Sequence, residues 1–187
     1  MKKWILILFC LFNGLSLFSQ NNYLGYKSKG GSISFGIPVY ELPEGKFYKP
    51  LMLQYYYRFP LFKDWRYFNF QMHIRPQYNI VFVTEKYHHE FGVNVCLEAV
   101  FLLFENTSFG VYTGSGPHYI SYESKRQVNG FIFSDNFIAS IRFKSRLIEN
   151  FETEIYGGLR HVSNAGIKNP NWGINNWIVG ISAGKLF

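Results

Sequence analysis

The stretch that decides the fold is residues 67–82, YFNFQMHIRPQYNIVF, in which apolar and polar side chains alternate. One set of alternate positions is apolar and consists of Phe68, Phe70, Met72, Ile74, Pro76, Tyr78, Ile80 and Phe82. The other set is mainly polar and consists of Tyr67, Asn69, Gln71, His73, Arg75, Gln77, Asn79 and Val81. Successive side chains of a β-strand point to opposite faces, whereas a helix would scatter each set around its axis. The stretch therefore predicts a strand with one apolar and one polar face.

Two later segments repeat this alternation and carry charges on their polar faces. In the first, apolar residues from Phe91 to Leu103 oppose Glu90, Asn94, Cys96 and Glu98. In the second, Phe137, Ala139, Ile141 and Phe143 oppose Ser140, Arg142, Lys144 and Arg146. Carboxylates from one strand and cations from another could pair inside a closed barrel, away from lipid. We therefore predict a polar interior that is plugged by side chains, not an open pore.

The whole chain fits an all-β fold, an eight-stranded antiparallel transmembrane β-barrel with both termini in the periplasm. Weaker alternation predicts the remaining five strands at residues 32–40, 47–59, 107–121, 151–164 and 176–187. Aromatic residues make up 20% of the chain, while its mean hydropathy stays near zero. Alternating lipid-facing and interior residues produce this combination. A soluble barrel of lipocalin type is the structural rival, and it would turn the polar faces outward instead.

The N-terminus predicts export. Lys2 and Lys3 precede an apolar run from Trp4 to Leu17, and Ser19 is a small residue suited to cleavage. We expect residues 1–19 to be a signal peptide and residues 20–187 to be one barrel domain, because no linker or repeat interrupts them. Removal of the two lysines lowers the net charge from +7 to +5. Cys96 is then the one remaining cysteine, so no internal disulfide is expected.

The most distinctive segment for chemistry is residues 160–175, RHVSNAGIKNPNWGIN. His161 and Ser163 are two residues apart on a predicted strand, so their side chains share a face and imidazole could approach the hydroxyl. Leu159, Gly157 and Ile155 belong to the same set of alternate positions, which predicts that the pair looks outward toward lipid. A polar collar at the membrane interface would explain the pair as well as catalysis does.

This segment resembles the lipid A 3-O-deacylase family in its pattern His-x-Ser-Asn-Ala-Gly followed by Pro-Asn-x-Gly. The resemblance implies an eight-stranded outer-membrane barrel whose outer face carries a Ser-His-Glu triad that hydrolyses an ester-linked acyl chain of lipid A. It implies that His161 is the general base and Ser163 the nucleophile. It further implies that Asn164, Gly166 and Asn171 belong to the segment that supplies oxyanion donors, with no metal or cofactor.

The sequence departs from the family pattern at the third triad position, which falls on Asn175 instead of Glu. No carboxylate follows His161 in the chain, and Glu152 and Glu154 lie on the opposite face of their predicted strand. An asparagine can orient an imidazole but cannot stabilise an imidazolium by charge.

The leading functional hypothesis is therefore an outer-membrane hydrolase, a carboxylic ester hydrolase that acts on lipopolysaccharide. A non-catalytic barrel with an adhesive or structural role and a lipid acyltransferase are the alternatives. The sequence indicates no nucleic-acid partner, and it leaves monomer and homodimer open.

Overall fold

The computed structural model describes residues 25–43, 45–62 and 67–187. The predicted signal peptide, residues 1–19, lies outside the described residues and stays a prediction. Within these three ranges, no helix is long and apolar enough to cross a membrane.

The described chain forms one antiparallel sheet that closes on itself. Its strands are β1 (Ser28–Pro38), β2 (Lys49–Pro60), β3 (Phe68–Val83), β4 (Lys86–Phe104), β5 (Thr107–Ser115), β6 (Pro117–Ile120), β7 (Gly130–Lys144), β8 (Phe151–Ser163) and β9 (Ile174–Leu186). Sequence neighbours pair along the sheet, and β1 also pairs with β9 to close the ring. Closure leaves no edge strand, and in lipid this satisfies the backbone hydrogen bonds of every strand.

The fifth strand predicted from the sequence is present, but it is interrupted at Gly116, which separates β5 from β6. Both pieces pair with β4 on one side and β7 on the other. A Cβ on Gly116 would lie 1.8 Å from the carbonyl oxygen of Val93, so the backbones approach too closely there for any side chain. The predicted count of eight strands is therefore correct for the barrel, with one strand in two pieces.

The faces of the strands agree with the alternation in the sequence. Arg75, Glu98 and Arg142 are buried inside the barrel, as predicted. The outer wall exposes large apolar residues on every side, including Ile33, Phe35, Leu53, Ile74, Tyr78, Phe91, Leu97, Phe137, Ile155 and Val179. This arrangement excludes the lipocalin-type alternative, because that fold would bury the apolar faces.

Charged side chains fill the interior and pair with one another. Arg58 donates to Glu152 at 2.8 Å and to Glu154 at 3.0 Å, and Arg142 holds both oxygens of Glu98 at 2.6 and 2.7 Å. The predicted plug of paired charges is thus present. The prediction was wrong for Arg146, which lies beyond the end of β7 and is exposed, while Lys144 at the strand end is only half-buried.

The two ends of the barrel differ in what they carry. Residues 38–49, 83–86, 120–130 and 163–174 connect strands at one end, which we call the loop end. The first residue of β1 and the last of β9 pair at the opposite end. The segment with His161 and Ser163 therefore lies at the end of the barrel away from both termini.

Candidate active site

His161 and Ser163 lie at the C-terminal end of β8, just before the chain leaves the barrel wall. The residues between and beside them, Arg160, Val162 and Asn164, are buried, whereas His161 and Ser163 are half-buried. Their side chains therefore share the outer face of the wall. The structure reproduces the predicted orientation and places both groups above the apolar residues Leu159 and Ile155 of the same strand.

Asn175 holds the imidazole of His161 from the neighbouring strand. The two residues are paired across β8 and β9, and Nδ1 of His161 lies 2.6 Å from Oδ1 of Asn175. An amide oxygen can only accept, so Nδ1 carries the hydrogen and Nε2 of the neutral ring is left as an acceptor. This is the tautomer that a general base needs in order to take a proton from a serine hydroxyl.

Gly173 packs against the opposite edge of the His161 ring. Its φ of +68° is in the left-handed region, and a Cβ there would lie 2.3 Å from Cε1 and 2.9 Å from Nε2 of His161. The hydroxyl of Tyr40 donates to the carbonyl of Gly173 at 2.9 Å, which fixes this backbone. The imidazole is thus held between an amide side chain and a glycine that leaves room for its Cε1–Nε2 edge.

Asn164, Gly166 and Asn171 come together in the segment that joins β8 to β9. The N–H of Asn164 donates to Oδ1 of Asn171 at 2.8 Å, and the N–H of Gly166 donates to Oδ1 of Asn164 at 3.1 Å. The side-chain amide of Asn164 also donates to the carbonyl of Lys168 at 2.8 Å. The two asparagines therefore brace the loop beside Ser163, and the backbone donors of Asn164 and Gly166 are engaged within it.

Asp135 is a further polar residue at this place that the sequence analysis did not identify. It is paired with His161 across β7 and β8, on the side opposite Asn175. Its side chain is exposed on the outer face, in the same row of β7 as Phe133 and Phe137. A carboxylate in a lipid-facing row of a strand costs free energy, so such a residue is a candidate for a functional role. In the sequence, Asp135 could have been found as a charged residue that interrupts the apolar set of alternate positions in β7.

A groove of about 480 Å³ on the outer wall connects these groups with apolar side chains. Its lining includes Asp135, His161 and Asn175 together with Phe137, Leu159 and Trp177. A second groove of about 460 Å³ lies further from the loop end on the same wall and is lined by residues such as Ile155 and Ile181. The polar groups thus stand at the upper end of an apolar surface that suits an acyl chain.

The nearest carboxylates in the sequence, Glu152 and Glu154, face away from this site. Both are buried inside the barrel and bind Arg58. As the alternation predicted, neither of them can fill the third triad position that the resemblance implies. Among the residues that the structure describes, no cluster of three or more His, Cys, Asp or Glu side chains could hold a metal ion.

Comparison with known proteins gives one family match and matches to solved outer membrane proteins. The family model described as lipid A 3-O-deacylase (PagL) matches residues 51–183. The crystal structure of the outer membrane enzyme PagL matches with a TM-score of 0.57 and 16% identity, over 82% of this chain and 97% of that chain. The outer membrane protein OprG from Pseudomonas aeruginosa matches with a TM-score of 0.42 and 13% identity, over 87% of this chain and 96% of that chain. No curated protein sequence matches.

The likeness to the PagL structure is one of fold, since the two sequences share few residues. The family model is the stronger finding, because it spans most of the barrel and includes β8, most of β9 and the loop between them. It confirms the resemblance drawn from residues 160–175, and with the barrel fold it confirms the predicted location in the outer membrane. The chain therefore belongs to the lipid A 3-O-deacylase (PagL) family.

Proposed function

We propose that this protein is a serine esterase that removes the 3-O-linked acyl chain of lipid A within the outer leaflet of the outer membrane. The observation that carries the proposal is the outward pair of His161 and Ser163, with the His161 ring fixed by Asn175 at 2.6 Å. Membership of the deacylase family supplies the substrate class. Termini in the periplasm would place the loop end, and with it the pair, at the outer leaflet.

The proposed reaction proceeds through an acyl-enzyme. Nε2 of His161 takes the proton of the Ser163 hydroxyl as Oγ of Ser163 attacks the ester carbonyl, and a tetrahedral intermediate forms. The imidazolium then returns the proton to the sugar oxygen, which leaves as an alcohol. Water, activated by the same imidazole, attacks the acyl-serine and releases a fatty acid with Ser163 restored. These residues need no cofactor for any of these steps.

The oxyanion of the intermediate needs donors aimed at it. We assign this role to the segment of Asn164, Gly166 and Asn171, and within it first to the Asn171 side chain. Its Oδ1 is engaged by Asn164, which leaves the Nδ2 hydrogens of the same amide as donors. Asn164 and Gly166 then contribute by fixing the loop that carries Asn171.

The experiment is mass spectrometry of lipid A after incubation of the purified, detergent-solubilised protein with lipopolysaccharide. Ser163→Ala and His161→Ala should each lower the rate of deacylation by at least about 10³-fold, because the residues of such a unit lose activity together. Ser115→Ala is the matched control, since it deletes a serine hydroxyl from an exposed position at the end of β5, outside the lining of both grooves. It should leave the rate unchanged.

The folded state of each variant is checked by heat-modifiable mobility on a gel. Full activity in a folded Ser163→Ala variant would contradict the proposal. It would favour the alternative interpretation, in which the pair is only a polar collar at the membrane interface. Transfer of the acyl chain to a second lipid, in place of release as free fatty acid, would identify an acyltransferase.

A further inference from the structure

A cation–π cluster lies at the loop end, in the segments that border the proposed active site. We call Tyr40, Arg126 and Trp172 the Arg126 clamp. The guanidinium of Arg126 lies 4.5 Å from the ring centroid of Tyr40 and 5.6 Å from that of Trp172. Three different connections between strands therefore meet on one cation.

The clamp is joined to the active-site segment by backbone contacts. The N–H of Trp172 donates to the carbonyl of Arg126 at 2.9 Å, and Gln127 forms a β-bridge with Asn171. Tyr40, whose ring lies under the guanidinium, donates its hydroxyl to Gly173, the residue that packs against the His161 ring. A group bound by Arg126 would thus be held by the same loops that position the catalytic histidine.

Arg126 carries its charge in a half-buried position at the loop end. Within the described parts of the chain, no carboxylate forms a salt bridge with it, although Glu123 lies three residues earlier. The buried arginines Arg58 and Arg142, by contrast, are each paired with carboxylates. Stacking uses the flat face of a guanidinium and leaves its in-plane N–H donors available, in a fork that fits two oxygens of a phosphate.

The surroundings of the clamp fit the level of lipid head groups. Trp172 is 73% exposed, and Ile167 in the same loop is 62% exposed. Both lie at the loop end, just beyond the barrel wall. Exposed tryptophan at the end of a transmembrane wall marks the membrane–water interface. Phosphate groups of lipids lie at this level, above the acyl chains that contact the apolar wall.

We infer that Arg126 is a subsite for a phosphate group on the head of the glycolipid substrate. This inference rests on the proposed function, because it takes the ligand of the clamp to be the molecule whose ester reaches Ser163. The phosphate binds bidentately to Arg126, Tyr40 and Trp172 keep the guanidinium in place, and the acyl chain follows the groove below His161. The subsite selects phosphorylated over uncharged glycolipids.

The test compares lipid A with the same lipid A after enzymatic removal of its phosphates. Binding is measured in the Ser163→Ala background, so that no turnover occurs, with tryptophan fluorescence in mixed micelles as the readout. We expect phosphorylated lipid A to bind roughly tenfold more tightly than the dephosphorylated lipid, the size of one charge-assisted hydrogen-bonded contact. Arg126→Gln should remove this preference, and Arg126→Lys should retain only part of it, because lysine lacks the fork.

Arg146→Gln is the matched control, because Arg146 is an exposed arginine at the opposite end of the barrel. It should leave the preference intact. An equal loss of affinity for both lipids in Arg126→Gln would overturn the inference and show that the clamp only holds the loops together. A preference that survives unchanged in Arg126→Gln would overturn it as well.

The same lipids separate this inference from the proposed function. KM and kcat are measured for each lipid with Ser163 intact, and the Arg126→Gln effect is expected in KM. If the protein with Ser163 intact releases no fatty acid while the binding preference depends on Arg126, the proposed function fails and the phosphate subsite stands. If fatty acid is released but neither binding nor KM depends on the phosphates, the subsite fails and the esterase stands.

Discussion

At the scale of single residues, Asn175 occupies the position where the resemblance to the deacylase family implies a glutamate. Its Oδ1 accepts from Nδ1 of His161, so it fixes the tautomer and the direction of the ring. A carboxylate at the same position would do this and would also stabilise the imidazolium that forms during the reaction. An amide supplies the orientation without the charge.

Replacement of Asn175 should separate these two contributions. We expect Asn175→Ala to lower kcat by about 10-fold to 100-fold, because the ring loses its orienting partner. Asn175→Glu should raise kcat, because it adds charge where the hydrogen bond already exists. Both are measured as initial rates of fatty-acid release from lipopolysaccharide. A rate in Asn175→Ala equal to that of the unchanged protein would show that Gly173 and the wall position the ring unaided.

Asp135 offers a charge on the opposite side of His161. The two residues face each other across β7 and β8, where same-face side chains are roughly 5 Å apart at Cβ. We expect Asp135→Asn to lower kcat by about tenfold, since a carboxylate at that distance favours the protonated ring in the transition state. Glu85→Gln, which neutralises an exposed carboxylate in the turn between β3 and β4, is the control.

A double variant sharpens this prediction. If Asp135 supplies the charge that Asn175 lacks, Asn175→Glu should make the protein less sensitive to Asp135→Asn. Strictly additive effects of the two substitutions on kcat would refute the compensating role of Asp135.

Gly173 should tolerate no side chain. In Gly173→Ala the new methyl group would meet the Cε1–Nε2 edge of His161, and the positive φ adds strain. We expect a loss of kcat of at least about tenfold with little change in barrel stability, because the loop lies outside the sheet. Gly130→Ala is a suitable control, since Gly130 also has a positive φ, of +103°, but no atom lies within 4 Å of its Cβ position. Equal activity in the two variants would contradict the steric argument.

At the scale of strands and loops, the alternation of apolar and polar residues was sufficient to predict the barrel. Each strand has to present one face to lipid and one to a crowded interior, so the pattern of residues 67–82 leaves a single orientation. It also predicted the outward direction of His161 and Ser163. The interruption at Gly116 was missed, because a close approach of two backbones leaves no trace in hydropathy.

Register between strands is the information that the sequence did not contain. Asp135 precedes His161 by 26 residues, and only the pairing of β7 with β8 makes them neighbours. The docking of the Arg126 segment on Trp172 likewise depends on how two loops meet. The family resemblance gave candidate residues within one continuous segment, whereas the candidates contributed by β7 and by other loops required the structure.

At the scale of the whole molecule, the interior is a network of paired charges that the barrel has to bury together. Arg58 contacts Glu152 and Glu154, and its Nε donates to Nε2 of His73 at 3.1 Å. We expect Arg58→Met to lower the free energy of unfolding by about 3–5 kcal/mol, because it leaves two buried carboxylates with fewer partners. The measurement is the temperature at which the folded band disappears in heat-modifiability gels.

A compensating variant tests the cause of this loss. Arg58→Met combined with Glu152→Gln should recover part of the stability, because one of the unpaired charges is removed. Lys86→Met, a substitution of an exposed cation at the loop end, serves as the control. No recovery in the double variant would mean that the packing of the Arg58 side chain, and not its charge, stabilises the barrel.

The position of His161 and Ser163 on the outside of a plugged barrel determines how a substrate can arrive. Glycolipids in the leaflet reach an outer wall by lateral diffusion in two dimensions, without passing through water or through the lumen. The variable that governs saturation is then the mole fraction of substrate among its neighbouring lipids, not its concentration in the suspension. Packing and fluidity of the leaflet become part of the kinetics, and a membrane that stiffens would slow the proposed reaction without any change in the structure of the protein.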